Sequence, residues 1–385
     1  MVDTSSLSPW IRPRAAYLHI PFCAHHCGYC DFAVSTGQDH LIDLYVEAIT
    51  DEMRSLGSPA SVDTIFIGGG TPTYLRPAAL SRLLTALNQW LPLQADGEFS
   101  IEATPESITA ETVAVLADHG VNRVSLGVQS FHSHLLRQLD RIHSSNEIGP
   151  AIDRIRNRIS NVSVDLIFGI PGQTLAEWDD DLSTALSFAP DHVSTYGLTY
   201  ETGTPLWKLR ERGQVLPLSD SDELAMYLHA MDRLPSAGFE QYEISNFAKS
   251  NRCCRHNETY WANNAYFGFG VGAARYVNGS RELNRRNTDD YIRRVLAGDD
   301  PTFQRERLEP EEAARETVAI QLRRSSGVDR AQFQARTGFD VHAIVGDRTN
   351  VLQSEGLIDD DGSAIRLTRR GRCVADSLVV KLAWG

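Results

Sequence analysis

The sequence predicts an α/β fold, a partial, TIM-like (β/α)6 barrel followed by a small C-terminal domain that is helical and winged-helix-like. From Arg14 to about Leu198 short apolar runs alternate with longer stretches of helical periodicity, the pattern of successive parallel βα units. There are six such runs, too few for a closed eight-stranded barrel, so the sheet should stay splayed. Beyond residue 307 the pattern changes to short helices around one hairpin signal.

The expected strands are residues 15–20, 62–68, 98–103, 122–128, 162–168 and 192–198. Parallel neighbours require crossovers. Residues 40–56, with Leu41, Leu44, Tyr45, Ala48 and Ile49 on one face, and residues 78–90 read as two of the connecting helices. After Leu198 the repeat fades into a helix at 220–237, a short strand at 239–244 and an aromatic-rich stretch at 252–276. Helices at 309–323, 330–336 and 342–355, a hairpin at 357–367 turning on Asp361-Gly362, and a helix at 370–382 complete the chain. The expected domains are a barrel core, 1–245, a connecting region, 246–306, and the C-terminal domain, 307–385.

Composition narrows the function. A chain of 385 residues, 42% hydrophobic and 23% charged, is ordinary for a soluble globular protein. A net charge of −13 argues against a nucleic-acid backbone binder, which needs a basic face. Residues 1–17 are polar, contain two prolines and lack the apolar run of a leader or membrane span, so a cytoplasmic protein is expected. Six cysteines, three of them within eight residues, suit a metal site in a reducing compartment better than a disulfide framework.

Those three form Cys23-x-x-x-Cys27-x-x-Cys30, in the loop 21–37 that leaves the first strand. Three thiolates can ligate three irons of a [4Fe–4S] cube, leaving the fourth iron open to chelate a small molecule. A zinc ion held by the cysteines with His25 or His26 is the competing reading. Structural zinc sites usually pair two C-x-x-C knuckles, however, and the next cysteines, Cys253 and Cys254, are far along the chain.

The run Tyr17-Leu-His-Ile-Pro-Phe-Cys23-x-x-x-Cys27-x-Tyr29-Cys30 resembles the signature of radical S-adenosylmethionine proteins. Further segments narrow the resemblance: Gly68-Gly-Gly-Thr-Pro-Thr73, Ile101-Glu-Ala-Thr-Pro-Glu106, Gly127-Val-Gln-Ser-Phe131, Asp165-Leu-Ile-Phe-Gly-Ile-Pro-Gly172 and His256-Asn-x-x-Tyr-Trp261. Together they are similar to the group that contains oxygen-independent coproporphyrinogen III oxidase and the HemW-type heme chaperones. Several motifs in one order over nearly the whole chain carry the likeness, where any one alone would be weak.

The residues themselves point the same way. Glu102 sits near the end of an apolar strand, where a carboxylate must meet a partner or a cavity. Gln129 and Asp165 stand near the ends of the fourth and fifth strands, the edge where barrels assemble sites, although structural hydrogen bonding would also explain them. The Gly68–Gly70 run allows close backbone approach to a ligand, or simply a tight turn. The resemblance implies that Gly69, Gly70 and Thr71 meet the methionine amino group of S-adenosylmethionine. It further implies that Glu102, Gln129, Arg141 and Asp165 contact the cofactor's amino-acid, carboxylate and ribose groups, Arg141 facing the carboxylate, and that Tyr17 and Tyr29 flank the cluster. The chemistry implied by these parts is reduction of the cluster and homolysis of the sulfonium to a 5′-deoxyadenosyl radical.

Within that group the oxidases carry another cysteine two positions after the third ligand, where this chain has Phe32, and a longer N-terminal segment. Both departures imply the chaperone branch: heme bound and delivered to an apo-hemoprotein, with porphyrin decarboxylation as the alternative. On this reading the partners are heme, an acceptor hemoprotein that includes membrane-associated candidates, an electron donor for the cluster and, in one arrangement, a second copy of the chain. His256, in His256-Asn-Glu-Thr-Tyr-Trp261, is then a candidate heme residue, against the plainer reading that it packs a domain junction. Cys254 is a second candidate for heme, while Cys253 and Cys373 read as small packed residues. Gly268-Phe-Gly-Val-Gly272 lacks the frame of a nucleotide loop and reads as close packing, and the basic residues of 281–294 read as a solvated face.

Overall fold

The computed structural model describes residues 10–384. The expectation for residues 1–9 lies outside the described residues. Nine strands form the main sheet: β1 (Ala15–Ile20), β2 (Val62–Gly69), β3 (Leu93–Ala103), β4 (Arg123–Gln129), β5 (Asn161–Phe168), β6 (His192–Gly197), β7 (Glu240–Gln241), β8 (Asn246–Ala248) and β9 (Phe267–Phe269). Their spatial order is β7-β8-β6-β5-β4-β3-β2-β1-β9. β1 to β6 run parallel, with register shifts in the β2–β3 and β4–β5 pairs. The order is linear, with β7 and β9 as edges, so this is an open barrel built on six parallel strands.

The strand period of two assigns each side chain to one of two faces. Ala16, Leu18 and Ile20 of β1, Ile65 and Ile67 of β2, Phe99 and Ile101 of β3, Val124, Leu126 and Val128 of β4, and Val162, Val164 and Leu166 of β5 enter the apolar core. They pack there with Ile42, Ile49, Leu80, Leu83, Ile152 and Leu182 from the crossover helices. The alternate residues, Tyr17, Phe66, Glu102, Ser125, Gln129, Asp165 and Ser194, line the barrel interior. One face is thus packed under the crossover helices while the other carries polar residues into the interior.

Several elements differ from expectation. The helix Ile42–Arg54 turns Leu44 to solvent, 44% exposed, and buries Ile42, Val46 and Met53 instead. The expected strand at 239–244 is the start of the antiparallel hairpin β7–β8, and β8 pairs with β6. The stretch 246–306 supplies β9 beside β1, and a separate antiparallel sheet of Ala274–Val277, Ser280–Asn284 and Thr302–Glu306. This stretch is fastened by the buried Glu52, which accepts from Gly270 N at 2.8 Å, Asn284 Nδ2 at 2.7 Å and Tyr291 OH at 2.6 Å. No short-range pattern announces such a tie, because its partners lie more than two hundred residues away. Gly270 belongs to the same packing: a Cβ there would lie 2.5 Å from the carbonyl oxygen of His19.

A second apolar core, with Ala314, Val318, Phe333, Ile344, Leu352 and Leu378, holds the C-terminal helices and a three-stranded sheet of Val328–Asp329, Ala364–Leu367 and Ile358–Asp360. The expected helix at 342–355 is broken at Gly346, φ +61°, into Val341–Val345 and Arg348–Ser354. The last helix is likewise two pieces, Arg369–Arg372 and Ala375–Trp384. Among the described residues no helix is long and apolar enough to cross a membrane.

Candidate functional site

The three cysteines lie where β1 ends. Cys23 N donates to Ser35 O at 3.1 Å and Ser35 N to Pro21 O at 2.7 Å, closing the loop on itself. Gly28 docks the loop's far side, donating to Leu139 O at 3.3 Å and accepting from Leu206 N at 2.8 Å. His19 fixes the loop from below, with Nε2 2.9 Å from Ala33 O and Nδ1 3.0 Å from Tyr17 OH. Of the histidines in the zinc alternative, His25 turns Nε2 to Asp140 at 3.0 Å and His26 turns Nε2 to Cys30 O at 3.0 Å. Among the described residues, the group of three metal-binding side chains whose donor atoms all lie within 4.8 Å of one another is a different one, discussed below.

Burial pushes the Cys23 and Cys30 thiols up to about 11, so a bound cation is needed to hold them as thiolates. The chain contributes donors to the sulfurs: Thr71 Oγ1 lies 3.6 Å from Cys23 Sγ, and Arg141 Nη1 lies 3.4 Å from Cys27 Sγ. Such hydrogen bonds tune a cluster's potential. Tyr29 is half-buried in the same loop, and Phe32 stands 63% exposed at the cavity rim.

The glycine run has a steric reason at each position used. Gly69 has φ +110°, and a Cβ there would strike the His19 ring at 2.5 Å. At Gly70 a Cβ would meet Pro21 O at 2.7 Å and Cys23 Sγ at 2.8 Å. The turn also aims a backbone donor: Gly69 N donates to Glu102 Oε2 at 3.0 Å. Burial pushes Glu102 up to about 8, the Gly69 bond opposing it only in part. Such a carboxylate is primed for a cationic partner.

Gln129 ends β4 with φ +67°, where β4 shifts register against β5. A non-glycine residue in this region stores roughly 1–3 kcal/mol and commonly marks a ligand-facing position. The loop beyond it is pinned by the buried Asp181, which accepts from Ser130 Oγ at 2.8 Å and Phe131 N at 2.6 Å. Asp165 accepts from the hydroxyls of Ser125 at 2.9 Å, Ser163 at 3.2 Å and Ser194 at 2.7 Å. Burial still raises its pKa, the serines and Arg123 offsetting part of the effect.

His256 occupies the barrel's N-terminal end. It is 1% exposed, with Nδ1 3.0 Å from Thr64 Oγ1 and Nε2 2.9 Å from Tyr260 OH. Burial and the Arg123 cation hold it down to about 3, so the ring is neutral. Both ring nitrogens have hydroxyl partners, an arrangement that favours the packing reading of His256 over the heme-residue one. Cys254 is equally committed, buried with its sulfur 3.4 Å from Glu98 Oε1. The same carboxylate accepts from Arg255 N at 2.9 Å and His256 N at 3.3 Å, seating the helix Arg255–Trp261 under the barrel.

Apart from Cys254, every site residue expected from sequence, from Tyr17 to His256, lines one cavity of about 1350 Å³. The sequence reading missed three sets of its walls. The serines around Asp165 carried a signal, being polar residues at alternate positions of apolar strands. Arg123, 1% exposed with Nε and Nη1 unpartnered among the described residues, was hidden at a strand's first position. Arg323, Arg372 and Cys373, from the C-terminal module, reach the cavity only through tertiary packing.

Residues 17–185 match the radical SAM superfamily, and residues 308–374 match the HemN C-terminal domain. The chain is 36% identical to the heme chaperone HemW of Bacillus subtilis (strain 168), over 95% of this chain and 98% of that protein. It is 35% identical to the heme chaperone HemW of Mycobacterium tuberculosis (strain H37Rv), over 98% and 97%. The mitochondrial radical S-adenosyl methionine domain-containing protein 1 of Bos taurus is 32% identical, over 98% of this chain and 89% of its own. The structure of HemN, the coproporphyrinogen III oxidase of Escherichia coli, superposes with a TM-score of 0.85 over 97% of this chain and 91% of that one, at 23% identity, and so shares the fold. The chain thus belongs to the HemW family of the radical S-adenosylmethionine superfamily.

Proposed function

We infer that this protein binds heme and delivers it to an apo-hemoprotein, using a [4Fe–4S] cluster on Cys23, Cys27 and Cys30 with exchangeable S-adenosylmethionine. The observation that carries the reading is the continuity of the cavity, which runs from the three-cysteine loop to the first residues of the last helix. Its volume of about 1350 Å³ exceeds the roughly 300–1,000 Å³ of an ordinary ligand pocket, which leaves room for a nucleoside cofactor and a second large ligand. A cluster with S-adenosylmethionine supplies one-electron and radical chemistry when bound. The chain's own residues supply the rest. Gly69, Gly70, Thr71 and Glu102 receive the ammonium end of the cofactor, Arg141 its carboxylate, and Gln129 and Asp165 its ribose, with Tyr17 and Tyr29 flanking.

The far end suits an anionic macrocycle. Arg323 and Arg372 line it; Arg323 is paired with Asp376 at 2.5 Å, whereas burial holds Arg372 below its ordinary pKa, the sign of a guanidinium short of anionic partners. A carboxylate of a porphyrin would supply one. Phe32, at the rim, is an aromatic surface beside the cluster loop. A partner hemoprotein, membrane-associated ones included, and an electron donor complete the reading, and a second copy of the chain is a further partner.

The test is anaerobic: reconstitute the cluster, add reductant and S-adenosylmethionine, and follow heme titration beside coproporphyrinogen III turnover. Saturable heme binding without decarboxylation is expected, with roughly tenfold weaker binding in Arg372→Ala, the loss of one charged hydrogen bond. Formation of protoporphyrinogen would overturn the chaperone reading in favour of the decarboxylase.

A further inference from the structure

Outside the barrel cavity, the segment after β4 carries His132 and His134, and the helix Leu175–Ser187 presents Glu177 beside them. His134 Nε2 lies 3.1 Å from Glu177 Oε1. One nitrogen of each histidine and one oxygen of Glu177 lie within 4.8 Å of one another. A tetrahedral zinc ion with bonds of about 2.0–2.1 Å spaces its donors roughly 3.3 Å apart, so small side-chain rotations close this group around one ion.

We propose that His132, His134 and Glu177 form a binding site for a borderline divalent cation, zinc foremost, that clamps the segment after β4 to the helix Leu175–Ser187. Two imidazoles and one carboxylate select zinc or its neighbours over magnesium and calcium, which prefer oxygen throughout. The carboxylate is already oriented. Glu177 Oε2 accepts from Thr174 N and Thr174 Oγ1, each at 2.8 Å, in the capping box that begins the helix, and this leaves Oε1 directed at His134. A fourth ligand is at hand in Asp180, whose Oδ2 lies 3.4 Å from His132 Nε2 and whose side chain is 64% exposed. Asp181, 3.9 Å from the same nitrogen, is committed to Ser130 and Phe131. The plainer alternative pairs His134 with Glu177 Oε1 and leaves His132 Nε2 on the Glu177 carbonyl oxygen at 3.2 Å, surface contacts worth little on their own; an ion held by that nitrogen would displace the carbonyl contact.

The site has a structural consequence. The helix that supplies Glu177 also supplies Asp181, which pins the residues directly after Gln129. A bound ion adds a second clamp between the same two elements and so stiffens the turn that presents Gln129 to the cavity.

The experiment uses cluster-reconstituted protein, dialysed anaerobically against zinc chloride and then measured for zinc and iron together. About one zinc per chain without loss of iron is expected, with binding at least tenfold weaker in His132→Ala and in His134→Ala. Glu177→Gln keeps the capping box, since glutamine serves there as well as glutamate, but removes the anionic ligand, and should weaken zinc binding without lowering the metal-free melting temperature. Magnesium chloride in the same assay should leave no bound ion. Equal zinc in wild type and all three variants, or zinc gained only as iron is lost, overturns the proposal.

Discussion

The backbone N–H of Gly69 and the carboxylate of Glu102 meet at 3.0 Å across the ends of β2 and β3, so the glycine turn that approaches the cluster loop also positions the acid beside it. That acid carries a pH signature. Burial raises its pKa to about 8 from the usual value, so between the two pH values the folded chain holds a proton that the unfolded chain has released. Stability from this group is therefore present in acid and lost as pH rises toward about 8. Without S-adenosylmethionine, the wild-type melting temperature should fall between about pH 6 and pH 8.5 more than that of Glu102→Gln. Parallel curves for the two proteins would show that Glu102 ionises normally.

Gly70→Ala should block cluster assembly while leaving the barrel folded. The added Cβ would lie 2.8 Å from Cys23 Sγ and 2.7 Å from the Pro21 carbonyl, which fixes the loop through Ser35. Neither neighbour is a flexible side-chain end. Iron and sulfide per chain after reconstitution should drop severalfold, with far-ultraviolet circular dichroism unchanged. Full iron loading would mean that the loop shifts at little cost.

Much of this site was legible because a parallel strand is short and each inward side chain near its C-terminal end reaches the same mouth. Spacing singled out the three cysteines, position near strand ends singled out Glu102, Gln129 and Asp165, and the family resemblance supplied their expected roles. What escaped was set by distance along the chain. Glu52 binds Gly270 and Tyr291, and Arg372 arrives from the last helical segment, and nothing periodic links such pairs. His256 was open to two readings for a related reason: a motif records which residues occur together, while the contacts of its ring with Thr64 and Tyr260 appear only in three dimensions.

Arg141 should act on both cofactors. Its guanidinium donates to Cys27 Sγ at 3.4 Å and to Gly127 O at 3.0 Å, placing a fixed positive charge against a proposed cluster ligand. Removing a donor and a cation beside a thiolate ligand makes reduction harder. Arg141→Ala should keep its iron, show a more negative cluster potential in a redox titration followed by electron paramagnetic resonance, and bind S-adenosylmethionine roughly tenfold more weakly. Arg141→Lys should recover part of the potential but little of the affinity, because an ammonium lacks the fork that grips a carboxylate. An unchanged potential in both variants would confine Arg141 to a packing role.

His256→Ala separates packing from heme binding. The imidazole is buried and neutral, and it bridges Thr64 on β2 to Tyr260 on the helix below. Its loss leaves two hydroxyls without a partner beneath the barrel, at a cost of about 1–3 kcal/mol for each group left unsatisfied. A lowered melting temperature is expected, together with a heme absorption spectrum and affinity equal to wild type. Asparagine at this position should restore part of the stability, since it can both donate and accept, and again leave the heme spectrum alone. If His256→Ala instead shifts the heme spectrum at undiminished stability, the ring must release Thr64 or Tyr260 on binding and take the iron, and the packing role assigned to it here is wrong.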